Sequence, residues 1–378
     1  MDVLIAGAGV GGLALAGALV DDGHQVRVLE AAPGLREGGA AVTIYSNGAA
    51  ALAGLGVPLP DDIGGAIDHL EIRSAAGVVT MRTDMRVMRR KTGFPVVTVQ
   101  RNKLIEHLAA RLPAGVIRFD TAVTEVDSNG TVIDQYGEKH TAQVLVGADG
   151  HRSAVRQGVL HDGPASDCGW TTWQGLTHVL PELAAGRTGV LLVGDAGLVG
   201  LMPAGGGLLQ WWFDVEGARI DPADESVTAW LHQRFGGFAD PVPALLESIS
   251  DGDVGCYPHV LHRIPHAWGV GATTLLGDAA HAFPPSQAQG ANQAIEDAWL
   301  LRRALGGDGD VVAALRSYER LRAVRVRRVS KMAASETTNK PPKTLARLAV
   351  KFMPASMTGA AYTSLIRRFS SVLADERP

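Results

Sequence analysis

The run Gly7-Ala-Gly9-Val-Gly11-Gly12 constrains this chain more than any other feature. It lies between a short apolar stretch, Val3 to Ala6, and a helix-forming stretch, Leu13 to Val20, and Gln25 to Leu29 then returns as a second strand ending on Glu30. Strand, glycine turn, helix and strand make the first unit of a parallel α/β sheet. Gly7 permits the tight turn, Gly9 lets a pyrophosphate approach the backbone, and Gly12 allows close packing of helix on strand. The acid falls where a ribose should lie. Glu30 can accept both ribose hydroxyls and would repel a 2′-phosphate, which favours FAD or NAD over NADP at this site.

Val3 to Val20 is long enough to imitate a membrane span or the core of a signal peptide. It is broken by glycines, has no basic flank and ends on Asp21-Asp22-Gly23, so membrane insertion is not expected. With 378 residues, about two domains are expected. A net charge of -4 gives no basic footprint for nucleic acid. Cys168 and Cys256 are the only cysteines, far apart and without metal spacing, which points to a cytoplasmic enzyme with neither disulfide framework nor zinc.

A second stretch carries chemistry. Thr273 to Leu276 reads as a buried strand delivering Gly277-Asp278 to its end; Pro284-Pro285 forbids helix locally, and Gly290-Ala291-Asn292 opens a helical run, Gln293 to Leu305. Asp278 can accept hydrogen bonds from sugar-like hydroxyls. The helix N-terminus offers free N–H groups and partial positive charge to an acceptor that gains negative charge, such as the N1 and C2 carbonyl edge of a reduced flavin. A third stretch, Val144 to Gly147 followed by Ala148-Asp149-Gly150-His151-Arg152-Ser153, reads as a strand and a helix capped by Ser153, with Asp149, Arg152 and Arg156 beside the pyrophosphate crevice. Arg36 precedes a small-residue loop through Gly48 and reaches either phosphate or solvent. Residues 69 to 82 read as a hairpin around Ala75-Ala76-Gly77, Val96 to Val99 as a strand, and Arg101 as the head of a helix.

Gly7-x-Gly9-x-x-Gly12 with Glu30, then Gly147-Ala-Asp149-Gly150 through Arg156, then Gly277-Asp278 through Ala298, in that order, resemble the three fingerprints of the class A (single-component) FAD-dependent aromatic monooxygenases, which include para-hydroxybenzoate, salicylate and urate hydroxylases and zeaxanthin epoxidases. The resemblance extends to about residue 330 through a helix containing Tyr318-Glu-Arg-Leu-Arg322. It implies an α/β fold: a Rossmann-like FAD-binding domain of glutathione reductase type, an inserted antiparallel β-sheet substrate domain and a C-terminal helical segment. The implied boundaries are 1–70, 96–158 and 268–330 for the FAD-binding domain, 71–95 and 159–267 for the substrate domain, and 331–378 for the tail. Gly7, Gly9, Gly11, Gly12 and Glu30 would hold the adenosine half of FAD; Arg36, Arg101, Val123, Asp149 and Asp278 would contact the rest of the dinucleotide; Gly290, Ala291 and Asn292 would face the flavin pyrimidine. Asp149, Arg152 and Arg156 are similar to residues that also meet transient NAD(P)H. The implied reaction passes one oxygen atom of O2 through a flavin C4a-hydroperoxide to an electron-rich carbon, with hydroxylation ahead of epoxidation. A flavin reductase, a halogenase and a non-catalytic flavin-binding accessory protein are the alternatives; Trp170 to Trp173 lacks the Trp-x-Trp-x-Ile-Pro pattern of tryptophan-type halogenases. Two departures from the family pattern stand near the ring, Ala288 in place of glycine and Gly39-Ala40-Ala41 in place of Gly-Ala-Gly.

Between the second and third fingerprints, Trp170 to Leu176, Gly189 to Val193, Leu198 to Met202 and Leu208 to Val215 read as strands. Alternation in the last separates Leu209, Trp211 and Phe213 from Gln210 and Trp212. Where the branch of the family acting on anionic heterocycles carries a basic residue and a phenol, this chain has Leu198 and Gln210. A larger, mainly apolar aromatic or polycyclic substrate is expected, lined by Gln210, Trp212, Phe283 and Pro285. His281 is a candidate proton shuttle, although in the family its position more often supports structure. His178, His259, His262 and His266 share no helix face and no nearby carboxylate pattern, so a metal is not expected. Lys343 to Leu373 reads as an amphipathic tail packed on its own domain behind a hinge at Pro341-Pro342, with Leu345, Leu348, Phe352, Leu365, Ile366 and Phe369 set against Arg347, Lys351, Arg367 and Arg368. Membrane contact is not expected, and the oligomeric state is not encoded.

Overall fold

Continuously apolar strands are buried on both faces, and here they build a five-stranded parallel sheet in the order Thr273–Leu275, Val144–Gly147, Asp2–Ala6, Gln25–Leu29 and Ile117–Arg118. The computed structural model describes residues 1–35, 40–127, 130–217, 225–307, 309–340 and 353–378. Val3 pairs with both Val144 and Val26, so the first and second fingerprints end side by side at one edge of the sheet. The helices Val10–Asp21 and Gly290–Leu305 pack against each other. Gly11 makes this approach possible, because a β-carbon there would stand 2.6 Å from the Leu276 side chain and 3.1 Å from Ala294 Cβ.

A seven-stranded sheet holds Gly255–Leu261, Ser166–Thr177, Leu208–Glu216, Gly197–Gly205, Thr188–Gly194, His69–Ser74 and Val79–Asp84, in that order. It is not wholly antiparallel as expected. Thr188–Gly194 pairs in parallel with His69–Ser74, with Val190 opposite Glu71, so the early hairpin joins a strand more than a hundred residues on. Side-chain alternation sorts its two faces. Leu209, Trp211 and Phe213 are fully buried against Trp230, Leu231 and Phe235. Those partners belong to the helix Val227–Phe235, which with Val242–Ser248 covers one face; the sequence reading had only strands here. The opposite face carries Leu191, Val193, Leu198, Met202 and Trp212 toward the cluster that holds Tyr45 and Phe283.

A third sheet, Ala41–Ile44, Val97–Gln100 and Gly64–Ala66, bridges the two. After the long helix Val311–Ala333, the chain returns as the helix Ala355–Phe369, which lies on Val79–Asp84 and Arg86–Thr92. Thr358 Oγ1 donates to Arg82 O at 2.6 Å, and the Ser371 N–H reaches Glu296 Oε2 at 2.5 Å, which seats the tail on the body of the protein. The hinge at Pro341-Pro342 and Leu345, Arg347, Leu348, Lys351 and Phe352 lie outside the described residues. Among the described residues, no helix is long and apolar enough to cross a membrane.

Candidate active site

Gly7 adopts φ +104°, and a β-carbon there would stand 2.4 Å from Ala148 O. At Gly12 it would stand 2.1 Å from Gly7 O, so both positions are fixed by backbone contact within the protein. Gly9 differs: an added β-carbon meets nothing within 4 Å. The helix Val10–Asp21 begins at Gly9 with no side-chain cap, which leaves its first N–H groups for an anion. Glu30 stands beside this turn, its Oε2 accepting from the Ala8 N–H at 2.6 Å and its Oε1 from the Ala32 N–H at 2.9 Å. A carboxylate has about four lone-pair sites, so capacity for hydroxyls remains. The Thr121 N–H donates to Glu30 O at 2.8 Å, which brings the start of the strand Val123–Val126 close to the same edge.

The helix Gly290–Leu305 also starts without a side-chain cap, and at Gly290 an added β-carbon again meets open space. Ala291 is half-buried beside it, and Asn292 is fully buried. The Asn292 side chain is committed to protein: Oδ1 accepts from the Tyr45 N–H at 2.9 Å, and Nδ2 donates to Thr43 O at 2.9 Å and Ala288 O at 2.8 Å. What Asn292 offers a ligand is its backbone N–H. Asp278 is exposed at the start of the short helix Asp278–His281, after Gly277 at φ +57°. Ala288, one of the two departures from the family pattern, sits at φ +48°, so the chain keeps a left-handed path there without glycine.

The second fingerprint is arranged differently from expectation. Asp149 accepts from Ser153 Oγ at 2.5 Å and from the Val155 N–H at 3.2 Å, and so holds the start of the helix Ala154–Leu160. Burial pushes its carboxyl above the usual range, against those hydrogen bonds. Arg156, expected beside the pyrophosphate crevice, has its guanidinium engaged by the protein. It is buried, donating to Ala279 O at 3.1 Å, Ala280 O at 2.9 Å and Asp162 Oδ2 at 2.6 Å, which ties the second fingerprint to the third. Arg152 is exposed just before the cap. Arg101 heads the helix Arg101–Ala109, with its N–H 3.2 Å from Ala40 O, while Arg36 and Gly39 lie outside the described residues.

His281 is fully buried, with Nε2 2.6 Å from Asp297 Oδ2 and its ring stacked on Phe283. It belongs to a network that the sequence reading did not assemble. Arg322 reaches Asp297 Oδ1, Glu296 Oε2 and Gln293, and Asn47 Nδ2 reaches Glu296 Oε1 at 2.8 Å. Burial alone would raise Asp297, but His281 and Arg322 outweigh it and hold the carboxyl below its usual value. Burial prevails at Glu296, which is pushed up despite Arg322. The available signal was the acidic pair inside an otherwise buried helix, facing the arginine of Tyr318-Glu-Arg-Leu-Arg322.

On the seven-stranded sheet, Gln210 is buried with Nε2 2.9 Å from Ala41 O and 3.3 Å from Gln174 Oε1. Trp212 lies over Gly200, and Pro285 is exposed at the start of the turn Pro285–Gln287. His259 corrects the expectation of histidines without carboxylates: its nitrogens stand 2.7 Å from Glu336 Oε1 and 3.6 Å from Asp214 Oδ1. The uncapped helix starts at Gly9 and Gly290, where an added β-carbon meets open space, together with the oriented acid Glu30, fit an extended dinucleotide carrying a flat redox ring.

Comparison with known proteins agrees with that geometry. Residues 1–333 match the family model described as an FAD binding domain. FAD-dependent urate hydroxylase of Klebsiella pneumoniae is 31% identical over 341 residues, covering 86% of this chain and 87% of that protein. The 3-amino-4-hydroxybenzoate 2-monooxygenase of Streptomyces platensis is 33% identical over 344 residues, covering 86% and 85%. The crystal structure of Klebsiella pneumoniae HpxO complexed with FAD and uric acid superposes with a TM-score of 0.86 at 28% identity, covering 97% of this chain and 96% of that one. The chain is therefore a member of the FAD-binding-domain family of single-component, NAD(P)H-consuming flavin monooxygenases.

Proposed function

We propose that this enzyme hydroxylates an aromatic or polycyclic small molecule of largely apolar character, with FAD seated between Glu30 and the start of the helix Gly290–Leu305. The observation that carries the substrate reading is the sheet face formed by Leu198, Met202, Gln210 and Trp212, on the side of Tyr45 and Phe283. Leu198 is 1% exposed, and the Gln210 amide is engaged by Ala41 and Gln174, so these two positions present no charge to an anionic ring. Bound FAD supplies the acceptance of hydride from NAD(P)H and the activation of molecular oxygen. The chain's own part is placement. The uncapped helix start at Gly9 receives the pyrophosphate, Glu30 the adenosine ribose and Asp278 the ribityl side, with Arg101, Val123 and Asp149 completing the cradle. The Gly290 to Asn292 N–H groups stabilise negative charge on the pyrimidine edge, and the apolar sheet face excludes water.

On this reading 1–70, 96–158 and 268–330 form the FAD-binding domain and 71–95 with 159–267 the substrate domain. Membership of the parallel and the seven-stranded sheets supports that division. A cytoplasmic location is supported by two cysteines not joined in a disulfide.

The test is a panel of neutral polycyclic aromatics, benzoates and urate given to the purified holoenzyme under isotopically heavy oxygen, reading NAD(P)H consumption and product mass. Accelerated consumption and one heavy oxygen atom in a neutral aromatic are expected. Turnover with urate or a benzoate alone would sink the substrate reading, and consumption without incorporated oxygen would make the protein a reductase.

A further inference from the structure

A buried ion cluster ties the segment after the helix Val311–Ala333 to the substrate sheet. His259, fully buried in the strand Gly255–Leu261, places Nδ1 2.7 Å from Glu336 Oε1 and Nε2 2.7 Å from Thr172 Oγ1. Thr172 Oγ1 lies 2.5 Å from Asp214 Oδ1, and Asn339 Nδ2 donates to Glu336 Oε2 at 2.9 Å. A hydroxyl has one proton to give. Thr172 gives it to Asp214, so it must accept from Nε2–H; the Glu336 carboxylate only accepts, so Nδ1 also carries hydrogen. The ring is an imidazolium between two carboxylates. Glu336 itself sits at φ +48°, a left-handed conformation that an ordinary side chain keeps only when its surroundings hold it.

The same segment touches the other side of the molecule. Gln287 Nε2 donates to Thr338 Oγ1 at 2.8 Å and Ser286 Oγ to Ala333 O at 3.0 Å. Residues 285–288 run straight into the helix Gly290–Leu305 through left-handed Ala288. We propose that His259 is a positioning residue for the flavin site: acting through Glu336, it fixes residues 333–340, and through them the loop 285–288 that aims the helix start at Gly290. This rests on the reading that the helix start faces FAD.

The charged and titratable groups around the ring are Asp214 and Glu336, with Cys168 near Glu336 and Lys340 at the outer edge. Lys340 pairs with Glu216 and covers Trp170, which stacks on His259. Burial would lower the histidine, but the two carboxylates outweigh it and raise it from 6.5 to about 9. The folded value is raised, so the stabilisation is complete below the unfolded value and is lost as pH rises through about 9.

Hydrogen–deuterium exchange of the full chain with and without FAD, together with the bound-flavin absorbance spectrum, tests the coupling in wild type, Glu336→Gln and Gln287→Ala. FAD should protect 284–292 in wild type. Glu336→Gln should raise exchange about fivefold or more in both 333–340 and 284–292, shift the flavin spectrum, and leave 144–147 unchanged. Gln287→Ala, which cuts the link on the loop side, should loosen 284–292 while 333–340 stays protected. Wild type should show the Glu336→Gln pattern once pH passes about 9, after correction for intrinsic exchange. If FAD protects 284–292 in wild type but Glu336→Gln loosens only 333–340 with an unchanged spectrum, the positioning role is overturned while the site reading stands. If FAD gives no protection at 284–292, the site reading and the positioning role fall together.

Discussion

Arg322 Nε donates to Asp297 Oδ1 at 2.5 Å, with both side chains fully shielded from water. The pair joins the long helix after the third fingerprint to the helix whose N-terminus begins the candidate flavin site. Replacing Arg322 by Met would leave Asp297 and Glu296 as buried carboxylates deprived of their guanidinium. Removing one partner of a buried pair costs about 3–5 kcal/mol, because the remaining charge stays out of water. Urea unfolding of the Arg322→Met apoprotein should show that loss; a change below about 1 kcal/mol would mean the network adds little beyond packing.

Gly9 and Gly12 separate ligand contact from protein contact. A β-carbon at Gly12 overlaps Gly7 O at 2.1 Å, so Gly12→Ala should damage the apoprotein itself. At Gly9 the same carbon meets nothing, so Gly9→Ala should leave apoprotein stability within about 1 kcal/mol and weaken FAD about tenfold or more. Thermal unfolding of apoprotein and fluorescence titration with FAD read the two effects separately. Equal FAD affinity in Gly9→Ala and wild type would place the pyrophosphate elsewhere.

The parallel sheet and the helix starts at Gly9 and Gly290 were legible because their signals are local: a strand, a glycine turn and a helix within some thirty residues, repeated at Gly277 to Ala298. Faces of the seven-stranded sheet were legible too, since alternation alone separates Trp211 from Trp212. The helix Val227–Phe235 is signalled by the helical spacing of Val227, Trp230, Leu231 and Phe235, but that signal stands next to β-like runs that argue for strand. Non-local pairings left no such trace. Glu336 reaches His259 across 77 residues, and Arg156 turns inward onto Ala279 and Ala280, which no spacing rule near Asp149 encodes.

Trp212 and Gly200 test the proposed substrate wall. An added β-carbon at Gly200 would stand 2.1 Å from the Trp212 ring, so Gly200→Ala must push the indole aside. The expected result is a KM for the best aromatic substrate raised about tenfold, with FAD affinity unchanged, equivalent to about 1.4 kcal/mol of lost binding. A change in FAD affinity with KM intact would show that this face serves the cofactor.

Ala288 carries a side chain through a left-handed turn at φ +48°. The strain is about 1–2 kcal/mol for a residue with a β-carbon. Ala288→Gly removes it but enlarges the freedom of the unfolded chain by about 0.4–1 kcal/mol, so a net gain of roughly 0.5 kcal/mol is expected in chemical denaturation. Loss of stability would mean that the methyl group contributes contacts outweighing the strain.

His262 sets an acid edge opposite to that of His259. Burial lowers it first and the Arg156 guanidinium lowers it further, to about 4, while its Nε2 stays 3.0 Å from His151 O. The folded protein therefore holds the ring neutral where the unfolded chain, with the ordinary histidine value of 6.5, has begun to take a proton. Stability is complete above 6.5 and falls as pH drops toward about 4, where the folded state protonates as well. His262→Gln removes this titration. Its unfolding free energy, followed from about pH 7 to about pH 4, should show a shallower slope than wild type, and parallel slopes would remove His262 from the acid response.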